Sequence, residues 1–237
     1  MKTEQTPESN AFAATARMMA IVRPEWKQRV DQLAPNVGIC LEDSVRQAVD
    51  DWNRNNLGKV LTITGYHGRK RVNEMFSSRA VLDHFGIINA EGVHTQGLAA
   101  HTGMQAEWIV EKAISLRSNG VALYCPLFHL PRFLLTTLEA FRRRMNSGGD
   151  YAMFPVIPVP VIRPSGQKNL LDTIAEKEGG ESDDVNEYRT LSEEEAAWRE
   201  FPRIAAYQQA KADGSPGDCM TTERFGLYTD WLLRRMG

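Results

Sequence analysis

Val37-Gly38-Ile39-Cys40-Leu41-Glu42-Asp43-Ser44 opens a unit that closes at Lys59-Val60-Leu61-Thr62-Ile63-Thr64-Gly65. A short apolar run ends in two carboxylates. Apolar residues then return at helical spacing over 45–52. A second run, rich in β-branched residues, follows and stops at a glycine. Both runs are apolar throughout rather than alternating, as strands covered on both faces are. Strand, helix and strand in so short a stretch make the βαβ unit of a parallel sheet.

Outward from this unit the rhythm persists. The pattern predicts a helix over 73–85 stopped by Gly86, a weak third strand over 87–93 and a helix over 102–116. A fourth strand over 120–125, a helix over 131–145 and a proline-punctuated fifth strand over 153–159 follow. Upstream, residues 1–10 read as a frayed polar tail, and 11–33 as helix interrupted by Pro24. After Pro164 the composition shifts. Residues 172–200 hold 11 acidic and 3 basic side chains, a local net of −8. The stretch 176–188 has few apolar groups to offset its ordering entropy and is expected to be mobile or a lid. Ser192 and Glu195 have capping-box spacing. A last helix over 221–236 carries an apolar stripe of Phe225, Tyr228, Trp231 and Leu232. The expected fold class is α/β: a doubly wound, Rossmann-like, mostly parallel five-stranded sheet with a C-terminal helical subdomain. The expected division is an N-terminal tail and helix (1–35), the sheet domain (36–164), and the acidic loop with the helical subdomain (165–237).

The 237 residues carry a net charge of −2, with 42% hydrophobic and 24% charged side chains. That length fits one medium domain with an appendage. Near-neutral charge argues against a general nucleic-acid binder. Cys40, Cys125 and Cys219 are odd in number and far apart, which argues against a disulfide framework. No apolar run approaches the ~20 residues that span a bilayer, and the first residues lack a signal-peptide pattern. A cytoplasmic protein without nucleic-acid or membrane partners is the expectation.

In open α/β sheets, ligands bind at the carboxyl ends of the strands. Glu42 and Asp43 follow the first strand. Gly65-Tyr66-His67-Gly68-Arg69-Lys70-Arg71 follows the second, with glycines that admit a phosphate to the backbone and three cations beside them. His94, then His101-Thr102-Gly103, come past the third. Tyr124-Cys125-Pro126-Leu127-Phe128-His129-Leu130-Pro131-Arg132 ends the fourth, with a histidine and an arginine three apart at a helix start. Arginine grips phosphate or carboxylate with paired bonds, and histidine moves protons near neutral pH. Plainer roles stand beside these. Glu42 and Asp43 suit a helix N-terminus, the basic turn suits solvent, and Thr102 with Gln105 suits a capping box. Cys125 reads as a small buried hydrophobe. No HxH or HxxxH spacing occurs, so no metal is expected.

The last of these segments resembles the YHxPRA element of the bacterial YdcF/SanA/ElyC family, a widespread domain of unknown function. The likeness covers roughly residues 36–160, including the Leu41-Glu42-Asp43 turn, the turn 64–68 and Glu74. Family members typically have SxNTxENA at the start of the later helix. Here Ala99-Ala100-His101-Thr102-Gly103-Met104-Gln105-Ala106 stands there, so His101 and Met104 depart from the family's Asn and Glu. The first-strand turn and the second glycine also depart. The resemblance implies a Rossmann-type fold and carries over His129, Pro131 and Arg132, then Glu74 and Gln105, and least directly His101. Membrane-anchored members are associated with cell-envelope and lipid-carrier metabolism, and a soluble member with binding S-adenosylmethionine; no anchor is expected in this chain, so the resemblance implies the soluble branch as the closer analogue.

The expected function is a soluble enzyme or nucleotide-binding protein that holds an anionic small molecule: S-adenosylmethionine, a nucleotide or a sugar phosphate. As an enzyme it would be a transferase or hydrolase. His129, Glu42 and Asp43 are the candidate catalytic residues. Gly65, Tyr66, His67, Gly68, Arg69, Glu74, His101, Thr102, Gln105 and Arg132 are the candidate ligand-binding residues. The alternatives are a non-catalytic sensor that uses the acidic segment as a partner surface, and a structural interaction protein without a pocket.

Overall fold

The structure, a computed structural model, describes residues 6–22, 36–40, 44–54, 60–64, 86–87, 91–96, 99, 101–145, 153–162, 193–209, 211, 214 and 217–236. In chain order the elements are α1 (Pro7–Ile21), β1 (Asn36–Cys40), α2 (Val45–Asn53), β2 (Val60–Thr64), β3 (Val93–Gln96), α3 (Thr102–Ser115), β4 (Gly120–Pro126), α4 (Leu130–Met145), β5 (Val156–Val161), α5 (Glu193–Gln208) and α6 (Thr222–Met236). The strands pair in parallel in the order β3-β2-β1-β4-β5. Cys40 of β1 lies in register between Ile63 and Tyr124, which places the ends of β1, β2 and β4 at one edge.

The expected fold class is corrected. Six helices of nine to sixteen residues set the mass of the described chain, against strands of only four to seven. The five parallel strands are present, but this is a mixed α/β arrangement with a helical majority, in place of a sheet-dominated domain carrying a separate helical subdomain. The reason is visible in the packing. α1 lies against α5 and α6 and also touches β5 and α4. Ile21, Ile204, Phe225 and Tyr228 belong to the same buried cluster as Leu123 and Val156. The terminal helices share the sheet's core and form no core of their own.

Local chemistry moved several boundaries. Thr6 caps α1, its Oγ1 accepting from the Ser9 N–H at 3.2 Å, and Pro7 occupies the first turn, where its missing N–H costs nothing. The helix therefore begins inside the segment expected to fray, and ends at Ile21. Residues 23–33 lie outside the described residues, as do 176–188 and Ser192. The third strand is 93–96 rather than 87–93. Gly86 takes a left-handed φ of +70°, Ile87 is buried outside any strand, and pairing begins after Gly92, whose carbonyl accepts from Leu61 N–H at 2.9 Å. The fifth strand starts at Val156. Before it, the Pro155 carbonyl accepts from Val121 N–H at 2.8 Å.

The expected stripe on the last helix is present. Phe225, Tyr228 and Leu232 are fully buried, and Trp231 is partly buried. The Tyr228 hydroxyl accepts from Val156 N–H at 2.8 Å and donates to the Val156 carbonyl at 3.0 Å, pinning α6 to the first residue of the edge strand β5. Tyr228→Phe keeps the ring but orphans a buried N–H. A loss of ~1–3 kcal/mol is expected in chemical denaturation, and an unchanged midpoint would show that the hydroxyl bears no load. Among the described residues no helix is long and apolar enough to cross a membrane.

Candidate functional site

β4 is buried along its whole length and runs out at Pro126, where the chain must turn. His129 N–H bonds back to the Pro126 carbonyl at 3.0 Å, and the His129 carbonyl accepts from Phe133 N–H at 3.1 Å. His129 thus supplies the first carbonyl of α4. Pro131 sits in the first turn, where a proline is tolerated. Three residues apart on a helix start, His129 and Arg132 share a face. The His129 ring stacks on Phe133, with centroids 6.1 Å apart and planes at 15°.

The partner on that face comes from α5. Glu200 lies 1% exposed. Its Oε2 receives Arg132 Nε and lies 3.3 Å from His129 Nδ1, while Oε1 accepts from Arg203 Nη1 at 3.2 Å. Arg132 Nη1 donates to Thr102 Oγ1 at 3.0 Å, at the start of α3. The Arg132 guanidinium also lies over the Tyr207 ring, 5.8 Å from its centroid. Four pieces of chain therefore meet: the β4–α4 turn and the starts of α4 and α3, joined by the middle of α5.

His129 Nδ1 is shared. In one tautomer its N–H donates to Glu200. In the other its lone pair accepts from Arg132 Nη2, 3.1 Å away. Either way the ring is anchored at Nδ1. Nε2, which has no hydrogen-bond partner among the described residues, is then an acceptor in the first tautomer and a donor in the second. Burial, and next the Arg132 charge, push the His129 pKa below 6.5, against the opposing pull of Glu200, so the ring is neutral at neutral pH. Burial works to raise the Glu200 pKa, but the His129 hydrogen bond and the Arg132 guanidinium outweigh it and hold the carboxyl below its ordinary value. Among the described residues the centre at pH 7 brings together the Arg132 and Arg203 guanidiniums, the Glu200 carboxylate and a neutral imidazole.

Both shifts have the same consequence for stability. The unfolded chain binds protons on His129 below pH 6.5 while the folded chain still resists them, so stability falls as pH drops from about 6.5 through the folded value. Glu200 adds a second decline below about 4.5. His94 is also lowered, by partial burial and then by Lys112, so the His129 contribution must be read as a difference. Thermal melts of wild type and His129→Gln between pH 7.5 and 5 should show a shallower acid decline in the variant. Parallel curves would mean that His129 titrates normally.

The structure divides the expected site. His129, Thr102 and Arg132 are brought together. Glu42, Asp43, Gly65, Tyr66, His67, Gly68, Arg69 and Glu74 lie outside the described residues. His101, rather than Thr102, caps α3: its Nδ1 accepts from Met104 N–H at 3.3 Å, and Thr102 is the first helical residue. Gly103 makes room for that ring, since a Cβ there would lie 3.1 Å from His101 Nδ1. Gln105 does not cap either. It is 1% exposed, and its Nε2 has no hydrogen-bond partner among the described residues. Ser44 Oγ and Thr64 Oγ1 share that condition. Ser44 precedes α2 after β1, Thr64 ends β2, and Gln105 is in the first turn of α3. All three therefore belong to the carboxyl edge of the sheet, and each unmet polar group costs ~1–3 kcal/mol.

Glu200 was missed because it sits in an acidic run that reads as solvated surface. Its signal was its register: Ala196, Glu200 and Ile204 recur at helical spacing, and all three are buried. A lone carboxylate in an apolar stripe requires a cationic partner. Neither Cys125 nor Cys219 is a nucleophile candidate. Cys125 is fully buried, and burial pushes the Cys219 thiol up to about 12. Among the described residues no group of three His, Cys, Asp or Glu side chains is placed to hold a metal. No protein-family model matches the chain, and neither does any curated protein.

Proposed function

We propose that this chain holds an anionic small molecule at the carboxyl edge of β4 and uses His129 to move a proton on it. As an enzyme it would be a transferase or hydrolase acting on a phosphorylated or carboxylate-bearing compound. The observation that carries this reading is the imidazole: anchored at Nδ1 by a buried carboxylate and a guanidinium, neutral at neutral pH, and with Nε2 left for a ligand. A histidine held this way by a third group is the arrangement of a general base. Arg132 brings a guanidinium to the same helix face as the ring, and a guanidinium suits a negative ligand. The unmet polar atoms of Ser44, Thr64 and Gln105 add hydrogen-bonding capacity at the same edge.

S-adenosylmethionine fits the described part of the site poorly. Its sulfonium is a cation, and both oxygens of Glu200 already serve the two arginines and His129. A nucleotide or sugar phosphate fits better. The resemblance to the YdcF/SanA/ElyC family, through His129, Pro131 and Arg132, belongs to this proposal, although its soluble branch points to S-adenosylmethionine instead.

A second reading has its own observation. Arg132 spends Nε on Glu200 and an Nη1 hydrogen on Thr102, as a tie between helices would. Thermal melts with inorganic phosphate and with a nucleoside monophosphate separate the two. Binding predicts saturable stabilisation, ~2.7 kcal/mol at a hundredfold excess over Kd. Mass spectrometry of small molecules released from the purified protein should then find a phosphorylated or carboxylate compound. No stabilisation by either probe, with nothing released, would leave Arg132 as a tie.

A further inference from the structure

A groove of about 230 Å³ opens between α1, the β4–α4 turn and α5. Thr15, Met18 and Met19 of α1, Leu127 and Phe128 of the turn, and Ala197, Phe201 and Ile204 of α5 form its walls, with Glu200 and Pro131 between them. Its lining is almost entirely apolar. The Glu200 oxygens are turned to His129, Arg132 and Arg203, so the groove meets the stem of that side chain. The rim is apolar and open to water: Phe12 is 58% exposed and Trp198 59%, and both stand edge-on to Phe201, with centroids 6.0 and 5.3 Å away.

The groove adjoins the proposed site. Glu200 belongs to both, Pro131 lies between His129 and Arg132 in sequence, and the Phe128 ring lies 6.3 Å from the His129 ring. Its volume falls below the ~300–1,000 Å³ of a drug-sized pocket. At ~30 Å³ for a water-sized group it holds a chain of roughly six to eight carbons. The geometry points to an amphipathic ligand, with its anionic head at His129 and a short unbranched apolar tail in this groove. This rests on the proposed function for the head and on the groove alone for the tail.

Two probe series keep the halves apart. The n-alkyl phosphates from methyl to octyl, titrated by calorimetry, should gain about fourfold in affinity per methylene, the factor that ~0.8 kcal/mol for each buried methylene gives, and then level off once the groove is full. The n-alcohols of the same lengths, which have no anionic head, should show the same slope at weaker affinity. Thr15→Leu and Ala197→Phe both narrow the groove from different helices, and either variant that folds should abolish the slope while methyl phosphate binds as before. Flat series in both sets overturn the tail assignment, and methyl phosphate binding would then still support the head. A slope in the alcohols without binding of any phosphate overturns the anionic head and supports the groove. A slope unchanged in both variants places the tail elsewhere and overturns the inference.

Discussion

Glu200→Ala should lower the folding stability by about 3–5 kcal/mol, the cost of leaving a buried charge without its partner. In a chain of this size that corresponds to a fall in melting temperature of roughly 6–20 °C. The carboxylate is the hub of the cluster. Its loss strands the Arg132 guanidinium, whose side chain is only 12% exposed, and removes an acceptor for Arg203. The Arg203 side chain is 44% exposed and turns to water at little cost. Most of the loss therefore belongs to the Arg132 pair. Glu200→Gln keeps the shape and one acceptor and should cost less. A double-mutant cycle with Arg132→Ala isolates the pair: removing both partners should cost much less than the sum of the single changes. Additive losses would mean that the two side chains do not act as a unit.

How much of this centre could be read from the sequence depends on the distance between its parts. His129 and Arg132 were legible because they follow an apolar run and open a helix, a local pattern. Thr102 was legible for the same reason, although its neighbour His101 took the capping role. Sequence pattern placed the start of α3 at Thr102, but which side chain folds back depends on room, here supplied by Gly103. Glu200 could not be paired with Arg132 from pattern alone. The two are 68 residues apart, and what joins them is the packing of α5 against α4. The short apolar strands were legible as strands. The helical weight of the fold was harder to see, because α1, α5 and α6 have mixed compositions that read as tail and appendage. Their burial comes from facing one another, and a stripe such as Phe225, Tyr228 and Leu232 does not say what covers it.

His129→Gln should reduce turnover of the natural ligand by ~10²–10⁴-fold, the usual contribution of a positioned acid or base, with a small change in stability. Glutamine can keep one hydrogen bond to Glu200 or from Arg132, so the ion pair that holds α5 to α4 survives. What it cannot do is exchange a proton at neutral pH. The pH profile gives the sharper test. With burial and then Arg132 holding the imidazole below 6.5, the activity of a His129 base should stay flat through neutrality and decline only in acid. Glu200→Gln removes the interactions that oppose that depression, so the acid limb should move to still lower pH while the maximal rate falls, because the ring loses its anchor. A limb that moves upward would show that Glu200 does not set the His129 titration. Intact turnover in His129→Gln would transfer proton movement to another group and leave the imidazole as part of the tie between the helices.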